Sequence, residues 1–284
     1  MLNDSTSVKP PASAATGATA VSMQIITLSP DGERTQALLA ELAGQGLEAS
    51  TYAAVDGRNG LPALEAPERL DEARALRYRQ VPLTGSEIGC YLSHYRVIRD
   101  AYRAGEQQLC VLEDDVSLEP EFAEVLGGLL ACSDPKFEFV RFMGLKRHRR
   151  KRVQQLPEER WLTRPVKGLC GTQGYLINRG GMEKVLRTGA AIWRPIDKFY
   201  DQFWDSDLAC FAIEPHVIYE LPSQSSIRHS STGKVGSLWQ RTLGKRLLKV
   251  WRSSQRRLYQ FRRWSEFRPA EAVGERYGRT ERIH

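Results

Sequence analysis

The spacing of hydrophobic and polar residues along the chain predicts an α/β sheet. A short apolar run at residues 23–28 precedes the turn Ser29-Pro30-Asp31-Gly32, which predicts a strand and its end. Residues 34–47 then place leucines at helical spacing, and residues 49–55 predict a second strand. This strand, helix, strand order favours parallel pairing, and ligands of such sheets bind beyond the carboxyl ends of the strands.

Three adjacent carboxylates follow the next predicted strand, at residues 109–112. Glu113, Asp114 and Asp115 repel one another, and a cation or the hydrogen-bond donors of a ligand would offset that repulsion. A solvated acidic turn is the alternative interpretation. Since Pro120 follows closely, we expect the chain to leave the strand here.

The helix before this strand has a recognisable start. Thr84 and Glu87 form a capping-box pattern, and the apolar face that follows ends near Gly105. Ser93 and His94 lie within this helix, where a histidine is more often a structural hydrogen-bonding group than a catalytic one. Further strands are predicted at residues 137–143, 168–177 and 213–221, the last being the final strand.

Residues 194–205 combine carboxylates with aromatic side chains. Asp197, Asp201 and Asp205 are spaced i, i+4, i+8, so one continuous helix would place all three on one side. Aromatic rings beside carboxylates suit a sugar, because rings stack on its CH face while carboxylates accept bonds from its hydroxyls. The alternative is an amphipathic helix that buries its aromatic residues in the core.

Composition indicates an ordinary globular protein. The chain is 41% hydrophobic and 26% charged, and no apolar run approaches the ~20 residues needed to span a bilayer. Much of the net charge of +7 lies at residues 146–152 and 241–268. The first of these segments is interpreted as a loop, either solvated or clamping phosphates. Five scattered cysteines without a CxxC pair predict reduced thiols in a cytosolic protein.

The C-terminal part has a different character. Residues 238–264 repeat tryptophan, leucine and phenylalanine at near-helical spacing, with arginine and lysine between them. A basic helix with tryptophan at its apolar edge is typical of an anchor at a membrane interface. A partner-binding helix and a nucleic-acid contact are the alternatives, and nucleic acid is disfavoured. The predicted organisation is a disordered leader (1–22), an α/β domain (23–236) and a basic amphipathic helical tail (237–284).

Taken in order, these segments resemble glycosyltransferase family 25, the lipooligosaccharide and collagen sugar transferases. The residues that carry the resemblance are Ala54-Val55-Asp56-Gly57-Arg58, Leu83-Thr84-Gly85-Ser86-Glu87-Ile88-Gly89-Cys90-Tyr91-Leu92-Ser93-His94, Val111-Leu112-Glu113-Asp114-Asp115-Val116, Gly171-Thr172-Gln173-Gly174-Tyr175-Leu176-Ile177 and Pro195-Ile196-Asp197. There is one departure. After the first strand the family usually shows Asn-Leu-Asp-Arg, and here only Leu28 and Arg34 match.

The resemblance implies a Rossmann-like A-type glycosyltransferase fold, with a mixed, mostly parallel sheet flanked by helices. It also implies a nucleotide-sugar donor and Mn²⁺ or Mg²⁺, which suit carboxylate oxygens. Asp115 is the first candidate for a metal ligand, with Glu113 and His229 as further ligands. The donor contacts implied are Leu28, Arg34, Asp56, Gly57, Ser93, His94, Glu113 and Asp114.

Family membership further implies inversion at the anomeric carbon, which needs a base for the acceptor hydroxyl. Asp197 matches the family's Pro-x-Asp position and is the first candidate; Asp201 is the second.

We expect transfer of a hexose, with galactose as the first candidate, from a UDP-sugar to a lipid-linked oligosaccharide of the lipopolysaccharide core. The enzyme would be cytoplasmic and peripheral to the inner membrane, its tail on the anionic surface. The alternatives are UDP-glucose or another donor, another glycan or a protein hydroxyl as acceptor, and an inactive glycan-binding module.

Overall fold

The computed structural model of the chain describes residues 21–132, 136–221 and 238–272, with the side chains of the last helix described from residue 247. Residues 1–20 of the predicted leader and His229 lie outside this part of the chain. The strands are β1 (Ser22–Thr27), β2 (Ser50–Ala53), β3 (Arg69–Leu70), β4 (Gln108–Glu113), β5 (Val116–Leu118), β6 (Phe139–Arg141), β7 (Arg150–Gln155), β8 (Trp161–Pro165), β9 (Gly174–Asn178), β10 (Ala191–Ile192), β11 (Cys210–Glu214) and β12 (Ile218–Glu220). The helices are α1 (Glu33–Gly44), α2 (Glu72–Arg79), α3 (Gly85–Ala104), α4 (Phe122–Leu130), α5 (Arg179–Gly189), α6 (Ile196–Asp201), α7 (Phe203–Ser206), α8 (Leu238–Arg262) and α9 (Trp264–Phe267).

Eight strands form one mixed sheet in the order β2-β1-β4-β9-β6-β11-β8-β7. Strand β1 is parallel to both β2 and β4, and β6 is parallel to β11. The remaining pairings are antiparallel, because β9 runs in the opposite direction between β4 and β6 and the β7–β8 hairpin extends the far edge. The α/β class with a mixed sheet, expected from the sequence, is confirmed.

Helices cover both faces of this sheet. Along β4, Leu109 and Val111 point into a core shared with α3, α5 and α6, whereas Cys110 and Leu112 point into a core shared with α1 and α4. Residues 109–112 are fully buried, which explains why this strand reads as a continuous apolar run rather than an alternating one. Truncation of Leu112 to alanine would cost about 2–5 kcal/mol.

The predicted capping box of α3 is present. The Thr84 hydroxyl accepts the Glu87 N–H at 3.2 Å, and the Glu87 carboxylate accepts the Thr84 N–H at 2.9 Å. Gly105 ends the helix in the left-handed conformation, as a C-terminal glycine does. The helix is therefore held at both ends, with its apolar face beneath β4.

Two sequence predictions about strands were wrong. Residues 213–221 do not form one final strand: β11 ends before Pro215, which has no N–H to donate to a ladder, and β12 pairs instead with β5. Residues 146–152 are not entirely a loop, since β7 begins at Arg150. The side chain of Arg150 is buried against the carboxylate of Glu214, so it does not contribute to a surface clamp.

The C-terminal helix predicted at residues 238–264 is present as α8. Tyr259 packs against Phe203 and Phe267, with ring centroids 5.7 and 6.1 Å apart, and Gln260 donates to the Val166 carbonyl. These contacts dock the helix on the α/β core. Among the described residues, no helix is both long and apolar enough to cross a bilayer.

Candidate active site

The acidic cluster lies where β1 and β4 end side by side. Parallel pairing places Ile26 opposite Glu113, so Thr27 comes next to the residues that follow β4. The Thr27 hydroxyl donates to Asp114 Oδ2 at 2.6 Å and lies 2.9 Å from the hydroxyl of Thr35. Asp114 is thereby fixed to the end of the neighbouring strand.

Glu113 is held by hydrogen bonds to one of its carboxylate oxygens. Its Oε1 lies 3.1 Å from His94 Nε2 and also accepts the hydroxyl of Thr172, while His94 Nδ1 lies 3.0 Å from the Tyr175 hydroxyl. Burial opposes ionisation, but the hydrogen bond and charge of His94, together with Thr172, lower the pKa of Glu113 below its ordinary value. Glu113 is thus an ionised carboxylate whose other oxygen, Oε2, has no hydrogen-bond partner in the described part of the chain.

Asp115 has the opposite environment. Its Oδ1 is buried and has no hydrogen-bond partner among the described residues. Burial, followed by the charges of Glu113, Glu220 and Asp114, raises the pKa of Asp115 to about 7. Glu220 reaches this position because β12 pairs with β5, which places it opposite Val116.

An oxygen-seeking divalent cation fits this position. Gln173 contributes a second buried, unpartnered oxygen, Oε1, and its Nε2 lies 3.5 Å from Glu220. Carboxylate and amide oxygens around an unmet negative charge are the donor set that Mg²⁺ and Mn²⁺ prefer. Asp115 would be the central ligand. His229, another ligand predicted from the sequence, lies outside the described residues.

Two side-chain groups of the described residues, neither of which includes Asp115, have ligand atoms close enough to hold a metal ion, within 4.8 Å of one another. The groups are Cys90 with His94 and Glu113, and Cys170 with Asp197 and Asp201. In the first, burial and then the charges of Glu113, Asp197 and Asp115 raise the pKa of Cys90 well above its ordinary value, so a thiolate is disfavoured. The charge of Asp197 therefore acts on Cys90, whose thiol lies beside Glu113.

In the second group, protein cations already neutralise the carboxylates. Asp201 bonds Arg141 Nη1 at 2.9 Å, Lys198 Nζ at 3.2 Å and the Cys170 N–H at 2.9 Å. Burial opposes ionisation, but Arg141, Lys198 and the Cys170 N–H lower the pKa of Asp201. A carboxylate held in this way is a weak proton acceptor.

Asp197 is less constrained. Its Oδ2 lies 2.6 Å from Lys198 Nζ, and its Oδ1 has no hydrogen-bond partner among the described residues. The side chain is partly exposed at the first turn of α6. These contacts favour Asp197 over Asp201 as the base, although both roles stay predictions.

The prediction that three aspartates share one side of a helix was wrong. Helix α6 ends at Asp201, because Gln202 leaves the helical conformation with φ −101° and ψ 48°, and the short α7 follows. Asp205 instead bonds Arg194 at 2.6 Å, away from Asp197. The aromatic residues of this segment lie in the core, as the alternative interpretation predicted, and only Trp204 is partly exposed. The core residues are Phe199, Tyr200 and Phe203.

The predicted donor contacts fall into two sets. Leu28 and Arg34 are exposed at the carboxyl end of β1, and Asp56 is exposed and paired with Arg58, which lowers the pKa of Asp56 to about 2. Gly57 and Ser93 are buried in packing contacts. All of these stay predictions as donor contacts.

Gly57 is in close contact with the start of α3. A Cβ atom there would lie 1.9 Å from the Gly85 carbonyl oxygen, so only glycine fits. Ser93 accepts the Val55 N–H and donates to the Gly89 carbonyl, both at 2.8 Å. Both residues therefore fix the loop after β2 against α3.

Sequence reasoning missed three site residues. Thr172 and Gln173 belong to a motif that carried the family resemblance, but the sequence did not show that they bond or face the acidic cluster. Glu220 had no sequence signal, because its approach to Asp115 depends on the pairing of β12 with β5.

Comparison with known proteins finds a protein family that matches this chain. The family model described as glycosyltransferase family 25 (LPS biosynthesis protein) matches residues 21–200. Human procollagen galactosyltransferase 2 is 29% identical over 237 residues, which cover 76% of this chain and 37% of that protein. A glycosyltransferase 25 family member from Anopheles gambiae is 30% identical over 190 residues, 64% of this chain and 31% of that protein.

A rat protein named probable inactive glycosyltransferase 25 family member 3 is 26% identical over 260 residues, 82% of this chain and 44% of that protein. The chain therefore spans less than half the length of each of these relatives. Among solved structures, a Drosophila β-1,4-galactosyltransferase 7 in complex with manganese, UDP-Gal and xylobiose is 12% identical, with a TM-score of 0.35. That match covers 78% of this chain and 79% of the other, and its low score carries no argument.

Proposed function

Because this chain belongs to glycosyltransferase family 25, we propose that it is a metal-dependent inverting transferase. It moves a hexose, with galactose as the first candidate, from a UDP donor to a hydroxyl of a lipid-linked oligosaccharide. The relatives named as galactosyltransferases support the sugar, and the family's description as LPS biosynthesis proteins supports the acceptor. The observation that carries the proposal is the buried, unpartnered carboxylate oxygen of Asp115 among three further acidic residues.

The residues around Asp115 divide the task of holding the donor. A divalent cation bound by Asp115, Gln173 and Glu220 would stabilise negative charge on the departing nucleotide diphosphate. Glu113 stays ionised through His94 and adds charge to the same site. Asp114, anchored on Thr27, fixes the turn that presents all three carboxylates.

Asp197 acts on the acceptor. Its Oδ1 is available to take the proton of the attacking hydroxyl, and Lys198 fixes the other oxygen. Asp201 is a positioning residue, since it holds Lys198 and the backbone at Cys170. In this proposal the acidic cluster and Asp197 would act on opposite faces of the sugar, as an inverting displacement requires.

The C-terminal helix supports a position at a membrane surface. Helix α8 has eight arginine and lysine residues and no acidic residue among its 25. Its exposed apolar side chains lie on one side and comprise Leu247, Val250, Trp251, Leu258 and Phe261, of which Trp251 and Leu258 also line a cleft between α8 and α2. Such a face binds an anionic bilayer through apolar insertion and charge attraction together. We accordingly assign the enzyme to the cytoplasmic side of the inner membrane, as a peripheral protein.

Donor turnover tests the reaction. The full chain is incubated with UDP-galactose or UDP-glucose, with and without Mn²⁺, and released UDP is measured. We expect Mn²⁺-dependent release that Asp115→Asn abolishes. Glu48→Gln is the control, because it neutralises an exposed carboxylate that has no ion pair in the described part of the chain. A wild-type chain that neither binds nor hydrolyses any UDP-sugar would instead be a glycan-binding module.

The acceptor requires a separate assay. A protein hydroxyl is the second candidate, because several relatives are named procollagen galactosyltransferases. Radiolabelled galactose is offered with a lipid-linked core oligosaccharide and, in parallel, with a collagen-like peptide that contains hydroxylysine. Label only in the peptide would overturn the lipid-linked assignment while leaving the transferase assignment intact.

A further inference from the structure

A cleft of about 800 Å³ lies beneath the C-terminal helix. Helix α2 forms one wall, with Arg74 and Arg77, and helix α8 forms the other, with Arg252 and Arg262. A volume of this order is typical of small-molecule sites.

The four arginines have no carboxylate or other hydrogen-bond acceptor for their side chains among the described residues. Two of them stack on aromatic rings instead. The Arg74 guanidinium lies 3.9 Å from the ring centroid of Trp193, and that of Arg252 lies 3.5 Å from the ring centroid of Tyr78. Stacking covers the face of a guanidinium and leaves its N–H donors, which lie in the ring plane, without acceptors.

The acidic residues of the cleft do not supply those acceptors. Asp71 caps α2 by accepting the Arg74 backbone N–H, and Asp205 and Asp207 bond arginines other than the four. Burial lowers the pKa of the Arg252 guanidinium, against the opposing effects of Tyr78 and of the charge of Asp205. Arg252 is partly buried and the other three arginines are exposed, so the cleft presents positive charge that no carboxylate of the described residues binds.

Two uncharged donors in the same lining are also unsatisfied. The indole Nε1 of Trp204 and the hydroxyl of Tyr259 are buried and have no hydrogen-bond partner within the described residues. Buried donors normally find an acceptor, so their common location points to a ligand rich in oxygen.

We propose that this cleft is a binding site for a phosphate-bearing sugar. Arginine N–H groups match phosphate oxygens in pairs. Arg252 covers one face of Tyr78 and Arg256 lies over Trp204, but both rings are partly exposed and their remaining surface can contact a sugar ring. Trp204 of the cleft and the proposed base Asp197 belong to the same segment, residues 196–206, and on the basis of the proposed function we assign the site to the acceptor. In this respect the assignment deepens the proposed function, although binding itself requires no transfer.

Titration calorimetry with the full chain tests the site. Glucose 6-phosphate is the probe, and glucose is the reference that lacks the phosphate. We expect glucose 6-phosphate to bind at least about tenfold more tightly than glucose. The double variant Arg74→Gln, Arg252→Gln should weaken its binding about tenfold or more, with an unchanged circular dichroism spectrum.

Arg257→Gln is the matched control, since it removes the same charge from α8 outside the cleft lining. Equal binding of glucose and glucose 6-phosphate, or an equal loss in the control, would overturn the proposal. A parallel arm replaces the sugar phosphate by phosphatidylglycerol vesicles. Loss of vesicle binding alone in the double variant would assign the phosphate to a lipid headgroup rather than a sugar, and so overturn the sugar assignment.

UDP release from UDP-galactose with Mn²⁺ is assayed in parallel for the wild type and for Arg257→Gln, which lies outside the cleft lining and should stay within about twofold of wild type. If the wild type releases no UDP but binds glucose 6-phosphate, the proposed transferase activity is refuted and the proposed cleft site is retained. A negative result for one proposal therefore does not decide the other.

Discussion

The acidic cluster and the arginine cleft both have unmet charge, of opposite sign and in different settings. Asp115 follows a buried strand, and its backbone is fixed by β-sheet pairing on either side. The cleft arginines extend from two helices, and two of them stack on aromatic rings. The first setting is rigid and depends on single atoms, whereas the second distributes charge over several flexible side chains. Single substitutions should therefore act far more strongly at the acidic site.

The largest effect is expected at Asp197. Asp197→Asn removes the proposed proton acceptor, and we expect transfer to fall about 1000-fold while the KM for the donor stays near wild type. Steady-state kinetics with a saturating acceptor measures this. Retained transfer would mean that another group is the base, and a raised donor KM would place Asp197 on the donor side.

The next effect concerns pH and stability. The folded pKa of Asp115 is about 7, above its ordinary value of 3.8, so the metal-free native state holds a proton that the unfolded state releases. The free energy of unfolding should therefore fall as pH rises from about 4 to 7, by at most about 4 kcal/mol from this group. Urea unfolding of wild type and Asp115→Asn at each pH isolates the contribution.

Added Mn²⁺ provides the control for that experiment. It should restore stability to the wild type at pH 8 and have no effect on Asp115→Asn. Identical pH profiles for the two proteins would show that Asp115 ionises normally, and the proposed metal site would lose its main support.

A smaller effect separates structure from catalysis within α6. Asp201→Asn breaks the buried pairs with Arg141 and Lys198, and should destabilise the fold by about 3 kcal/mol. Urea unfolding at pH 7 measures this loss. Asp197→Asn is the comparison, and it should unfold close to wild type because Asp197 is partly exposed. Equal destabilisation of the two would remove the distinction between them.

The smallest effect is expected at the outer face of α8. The Phe261 side chain is 73% exposed, and Phe261→Ser should weaken binding to phosphatidylglycerol vesicles about tenfold in a flotation assay. Leu61→Ser is the control, since Leu61 is 64% exposed in a loop of the α/β core. Equal binding to neutral and anionic vesicles, or no binding, would exclude an electrostatic anchor.

Much of the fold followed from local patterns. The buried run of β4, the capping box at Thr84 and the acidic turn depend on residues within a few positions of one another. Strand β7 was partly predicted as a loop and β8 was not predicted, for a physical reason: Arg150 and Arg164 are buried in these strands, so apolar spacing does not reveal them. Their charges are met by Glu214 and Glu266, which are distant in sequence.

The sequence alone established that three carboxylates end a buried strand and that a basic, amphipathic helix follows the α/β core. Only the tertiary structure showed that Glu220 approaches Asp115, because strand pairing between distant segments brings them together. The same holds for the orientation of α8. Amphipathicity does not specify which face turns inward, and here Tyr78 and Phe203 provide rings on which Arg252 and Tyr259 pack. The apolar face is consequently left outside.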